Sequence, residues 1–132
     1  MDLDEKKRKK YKNESFIGSF EFAITGIKTS IDEERNMRKH ALLAIFAIVL
    51  GFIFHLSVHE WLWILLAIFL VIVTEILNSV IENVVDLATG YHYHALAKKA
   101  KDMSAGVVLL MALFAMLVGM IIFLPKIIGL FT

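Results

Sequence analysis

The sequence predicts an all-α integral membrane protein, with three transmembrane helices and an N-terminal amphipathic surface helix. Three observations carry that reading. Of the 132 residues, 58% are hydrophobic and 20% charged, and the mean hydropathy of +0.71 lies well above that of an ordinary soluble domain. The charges are segregated along the chain, so the net charge of +1 says little. Between the charged stretches lie long apolar runs, and Lys and Arg flank only some of their ends. With no cysteine, a disulfide framework, a thiolate zinc site and a thiol nucleophile are all excluded.

Residues 1–14 form a basic tail carrying Lys6, Lys7, Arg8, Lys9, Lys10 and Lys12, read as a cytoplasmic positive flank. The run is short and no binding module accompanies it, so nucleic acid is not a predicted partner. No apolar run precedes a small-residue cleavage site, and a cleaved signal peptide is not predicted. The rest, 15–132, reads as a single membrane domain. Over about 15–31, Phe16, Ile17, Phe20, Ala23, Ile24, Ile27 and Ile31 recur at three- and four-residue spacing, the pattern of a helix lying in the interface. Gly26-Ile27-Lys28-Thr29 lacks the Gly-Lys pair and preceding strand of a phosphate-binding loop. The polar segment 32–40 reads either as a solvated juxtamembrane turn or as the source of a carboxylate that meets the second span.

The spans are predicted at about 40–58, 61–87 and 103–124; the first and third are close to the roughly 20 residues that cross a bilayer, and the helical pattern of the second runs past that length. His55 and His59 are too few for a zinc site and read as loop residues, while Trp61 and Trp63 fit an aromatic belt. Pro125 and Lys126 close the third apolar run. Lys and Arg cluster before the first span and between the second and third, and the loop between the first and second carries none. The prediction is therefore a multi-pass protein of the cell membrane, N-terminus cytoplasmic and C-terminus outside.

The second span carries the chemistry. At about 100° per residue, Glu75, Asn78, Ser79, Glu82 and Asp86 share one helix stripe. Ionised groups in a span are costly and mark function. Glu75 falls at lipid depth and Glu82 near the cytoplasmic interface, about 10 Å apart along the axis. An acid at lipid depth, further acids at the interface and a nearby Lys-Asp pair suit phosphoryl transfer from a soluble donor to a hydroxyl among acyl chains. A cation-conducting oligomer and a non-enzymatic scaffold are the alternatives. All the acids lie in the cytoplasmic half, which disfavours conduction, and a scaffold leaves Glu75 unexplained.

Glu75-Ile-Leu-Asn78-Ser-Val-Ile-Glu82-Asn-Val-Val-Asp86, followed by Ala-Lys101-Asp102-Met, resembles the signature of the prokaryotic diacylglycerol kinase family, over about residues 16–125. Glu34-Arg35-Asn36 with His40 and the Pro125-Lys126 ending are similar to its Gram-positive branch, whose members act mainly as undecaprenol kinases. The resemblance implies an ATP- and Mg2+-dependent lipid kinase, a homotrimer with active sites between subunits, acting on undecaprenol or, alternatively, diacylglycerol. It makes Glu75 the catalytic base or hydroxyl-orienting group, Asn78 its support, and Glu34 and Glu82 the metal-binding glutamates. Lys101 and Asp102 then contact ATP, with Tyr93 and His94; counting forward from Asp86 leaves Tyr91 and His92 as rivals. Ser15 and Phe22 stand where relatives carry arginine and tyrosine at the nucleotide, a departure that bears on adenine contacts. Arg38 and Asp86 are left in substrate or supporting roles. The lipid bilayer and a membrane lipid alcohol complete the implied partners. Oligomerisation also follows from the stripe, which three helices can hardly shield from lipid.

Overall fold

A computed structural model describes residues 16–132; the basic tail and Ser15 lie outside the described residues. Four helices follow one another: α1 Phe16–Glu33, α2 Arg35–Ile53, α3 Val58–Thr89 and α4 Ala95–Ile128. The last three are long and apolar enough to cross a membrane. Most large apolar side chains point outward, among them Leu42, Phe46, Phe69, Leu109 and Leu113, as lipid-facing surfaces do.

α3 is the central helix, packed most extensively along α4 and also against α2, while α1 rests on α2 and α3. Its buried residues are Ile64, Ala67, Val71, Glu75, Asn78 and Ser79, all on one face. That face is apolar for its first half and polar for its second. The apolar half joins Leu56, Val118, Ile122 and Phe123 in a core near one end of the bundle. At 32 and 34 residues, α3 and α4 are each about 50 Å long, well beyond the roughly 30 Å of hydrocarbon they cross.

Local chemistry sets the ends. Ser57 and Glu60 form a reciprocal capping box that starts α3, and Glu60 also pairs with Lys126 of α4 at 2.9 Å. Gly90, at φ +57°, ends α3 in the left-handed conformation that glycine adopts without cost. Tyr91 follows it at φ 63° and donates its backbone N–H to the Asp86 carbonyl. α4 then begins at Ala95, capped by His94 Nδ1, which accepts the Leu96 N–H at 3.2 Å. The lysine cluster 98–101 is thus helical, where the sequence reads as a loop. α4 also runs through Pro125 to Ile128, because a proline so near a helix end removes one N–H while the Gly129 N–H still reaches the Pro125 carbonyl at 3.0 Å.

The polar segment 32–40 is helical apart from Glu34, whose extended backbone (φ −96°, ψ 115°) makes the corner between α1 and α2. Arg38 reaches back across this corner, its Nη1 donating to the carbonyls of Ile31 at 3.3 Å and Asp32 at 2.7 Å. These carbonyls belong to the last turn of α1, so one guanidinium holds the surface helix at its angle to the first span.

Candidate active site

The polar half of the α3 face is tightly enclosed. Glu75 is 3% exposed and Asn78 9%. Ser79 donates its hydroxyl to the Glu75 carbonyl at 3.1 Å, one turn back, and so is satisfied within the helix. Asn78 Nδ2 donates to Glu82 Oε1 at 3.2 Å, holding that carboxylate against the stripe. Its Oδ1 is buried with no hydrogen-bond partner among the described residues, an acceptor aimed at no protein donor.

Three further groups approach Glu75. His40 Nε2, on α2, lies 3.8 Å from its Oε2. Glu34, at the α1–α2 corner, and Glu82, two turns along α3, are close enough for their charges to act on it. The corner thus brings Glu34 to the same region as the stripe, and Arg38 sets where that corner lies.

Toward the helix ends the site gains two lysines, each paired with an aspartate. Lys101 of α4 pairs directly with Asp86 of α3, both about one-third exposed, and its charge also reaches Glu82. Asp102 pairs with Lys98 one turn back in an exposed contact of small energetic weight. The α3–α4 turn and the first turns of α4 enclose a pocket of about 450 Å³ lined by Asp86, Lys101, Asp102 and the tyrosines and histidines of the turn. Both rival pairs, Tyr91 with His92 and Tyr93 with His94, line it. Phe22 is exposed on α1 and is not part of this pocket, and Ser15 lies outside the described residues.

A second cavity of about 430 Å³ opens between α2 and α4, floored by α3. Leu43, Ala47, Ile68, Val71, Ala112 and Met116 are among its walls, and His40 is the one polar side chain lining it. A hydrocarbon-lined cleft therefore ends beside a buried carboxylate, and beyond that carboxylate stand acids and a lysine at a pocket open to water. Two contacts escaped the sequence reading. His40 to Glu75 joins two helices, and only its position at the head of a span next to an acid-bearing span hinted at it. Asp86 to Lys101 bridges fifteen positions across the turn, which no helical spacing reports.

Comparison with known proteins bears on the same residues. The chain matches the profile of the family described as prokaryotic diacylglycerol kinase over residues 21–123. It is 42% identical over 120 residues to an undecaprenol kinase of Bacillus subtilis, covering 89% of this chain and 97% of that one. It is 38% identical over 116 residues to a diacylglycerol kinase of Synechocystis, covering 88% of this chain and 66% of the relative. To the diacylglycerol kinase of Escherichia coli K12 it is 30% identical over 96 residues, 73% of this chain and 78% of the relative. With the matched profile spanning the corner, the acidic stripe and the lysine pair together, this chain is a lipid kinase belonging to the prokaryotic diacylglycerol kinase family.

Proposed function

We propose that the protein phosphorylates the hydroxyl of undecaprenol, with ATP as phosphoryl donor and Mg2+ as metal. The observation carrying this is a buried carboxylate, Glu75, placed where an apolar cleft meets a polar face. The cleft offers a single polar side chain, suiting an alcohol whose only polar group is its hydroxyl. A diacylglycerol carries two ester groups as well, which such walls leave without partners. The long identity to the Bacillus undecaprenol kinase supports the same choice.

In this reading Glu75 orients the hydroxyl and takes its proton as the oxygen attacks the γ-phosphorus. Asn78 supports the polar face by holding Glu82. Glu34 and Glu82 supply carboxylate oxygens for Mg2+, and the unpartnered Asn78 Oδ1 adds a hard oxygen beside them. Among the described residues no three acidic or histidine groups form a ready metal cage. That donor set suits an ion held by one or two carboxylates and substrate phosphates. Held by these residues, Mg2+ would supply neutralisation of the charge developing on the phosphates. Lys101 faces the phosphates, released from Asp86 or shared with it, and Asp102 and the Tyr93–His94 turn border the nucleotide. Asp86 keeps the lysine aimed at the site, and Arg38 fixes the corner that carries Glu34. Exposed Phe22 is left for the adenine side, together with Ser15.

The active site, the N-terminus and the basic tail, residues 1–14, face the cytoplasm, and the C-terminus lies outside. Support comes from the lysine- and arginine-free turn between α2 and α3. Residues 15–132 form one lipid-kinase domain that assembles as a homotrimer, whose neighbours cover the part of the site one chain leaves open. Initial rates with undecaprenol and diacylglycerol in the same detergent test the substrate. A faster rate with undecaprenol is expected, and equal or reversed rates would reject this choice of lipid.

A further inference from the structure

We infer that His40 is a second catalytic residue, binding the acceptor hydroxyl together with Glu75. The inference rests on Glu75 being the group that activates that hydroxyl. His40 Nε2 and Glu75 Oε2 are 3.8 Å apart, too far for a direct hydrogen bond. Such a gap between two polar atoms is where a bridging oxygen sits. An oxygen about 2.8 Å from each, an ordinary hydrogen-bond length, fits to one side of it. A lipid alcohol there donates its hydroxyl proton to Glu75 Oε2 and accepts a hydrogen bond from the Nε2–H of His40.

The surroundings single His40 out. Glu34 and Glu82 act on Glu75 with like charge, and among the described residues the basic side chain approaching its carboxylate, at 3.8 Å, is that of His40. His40 is also the polar end of the apolar cleft. A chain lying along Leu43, Ala47, Ile68 and Val71 therefore meets its first hydrogen-bond donor at this imidazole. In the reaction the O–H bond breaks and its proton passes to Glu75. The oxygen forms a bond to the γ-phosphorus, the bond from that phosphorus to the β–γ bridging oxygen breaks, and ADP leaves. The His40 N–H stays in place and stabilises negative charge growing on the attacking oxygen.

His40→Gln and His40→Asn test this, because a glutamine amide N–H reaches about where Nε2 lies and an asparagine amide only about as far as Nδ1. Both variants and the native protein would be assayed with undecaprenol and ATP, with binding of a fluorescent ATP analogue measured on the same preparations. Glutamine is expected to retain most of kcat. Asparagine is expected to lose about 100-fold in kcat, the scale of a misplaced catalytic group, with analogue binding changed by less than about twofold. Equal kcat for the two variants overturns the inference. Loss of analogue binding in both also overturns it, since that marks a structural role. If the native protein phosphorylates neither undecaprenol nor diacylglycerol, the kinase reading fails first, and that result is distinct from native turnover with indistinguishable variants.

Discussion

Glu75 and Glu82 sit on one face of one helix, seven residues apart, in different surroundings. Glu75 is 3% exposed beside a hydrocarbon cleft, whereas Glu82 is partly open and bound by Asn78. Glu75→Gln is therefore expected to lower turnover by about 10²- to 10⁴-fold, the range for a general base, with nucleotide binding largely kept. Glu34→Gln and Glu82→Gln are expected instead to weaken binding of the metal–nucleotide complex. Titration with a fluorescent ATP analogue at varied Mg2+ separates the two, and equal loss of binding in all three variants contradicts the division. Arg38 is distinguished by acting through backbone. Among the described residues it bonds carbonyls of α1, so Arg38→Gln displaces Glu34 without removing a ligand, and it is expected to raise the Mg2+ concentration giving half-maximal rate more than it changes the lipid KM.

Among the helices, α2 and α3 approach closely where Gly51 faces the Trp61 ring. A Cβ on Gly51 would lie 2.6 Å from Cη2 and 2.9 Å from Cζ2 of Trp61, and that bulky ring is itself packed against Phe52. Gly51→Ala is expected to destabilise by about 1–3 kcal/mol, the usual cost of overpacking, read as a lower thermal midpoint in detergent. An unchanged midpoint would show that the helices part freely there. This contact lies at the far end of the bundle from Glu75, so its loosening also tests how firmly His40 on α2 is registered against α3. α4 has its own tie at that end, where Lys126 meets the Glu60 of the α3 capping box at 2.9 Å.

For the whole molecule, antiparallel passage of α2, α3 and α4 places the charged corner and the α3–α4 turn at one end, and the short turn before α3 at the other. Because the chain has no native cysteine, single substitutions report sidedness cleanly. Lys99→Cys is expected to react with a membrane-impermeant maleimide only from the cytoplasmic side, and His59→Cys only from outside. The opposite pattern would invert the orientation and put the ATP site on the wrong face.

The sequence alone determined the membrane class, the three long apolar helices and the acidic stripe, since each is a one-dimensional pattern. Bilayer thickness demands apolar length, and helical periodicity turns the spacing of Glu75, Asn78, Glu82 and Asp86 into a face. Hydropathy marked where the hydrocarbon ends, though not where the helices end. Thus residues 95–102 and 125–128 prolong α4 beyond its apolar window, as hydrogen bonds of the backbone are indifferent to that boundary. What only the tertiary structure decided is which separate segments meet. A corner at Glu34 held by Arg38, the approach of His40 to Glu75 and the pairing of Asp86 with Lys101 all depend on turn geometry and helix register. Side chains distant in sequence become neighbours only when packing fixes those angles, and no local periodicity encodes them.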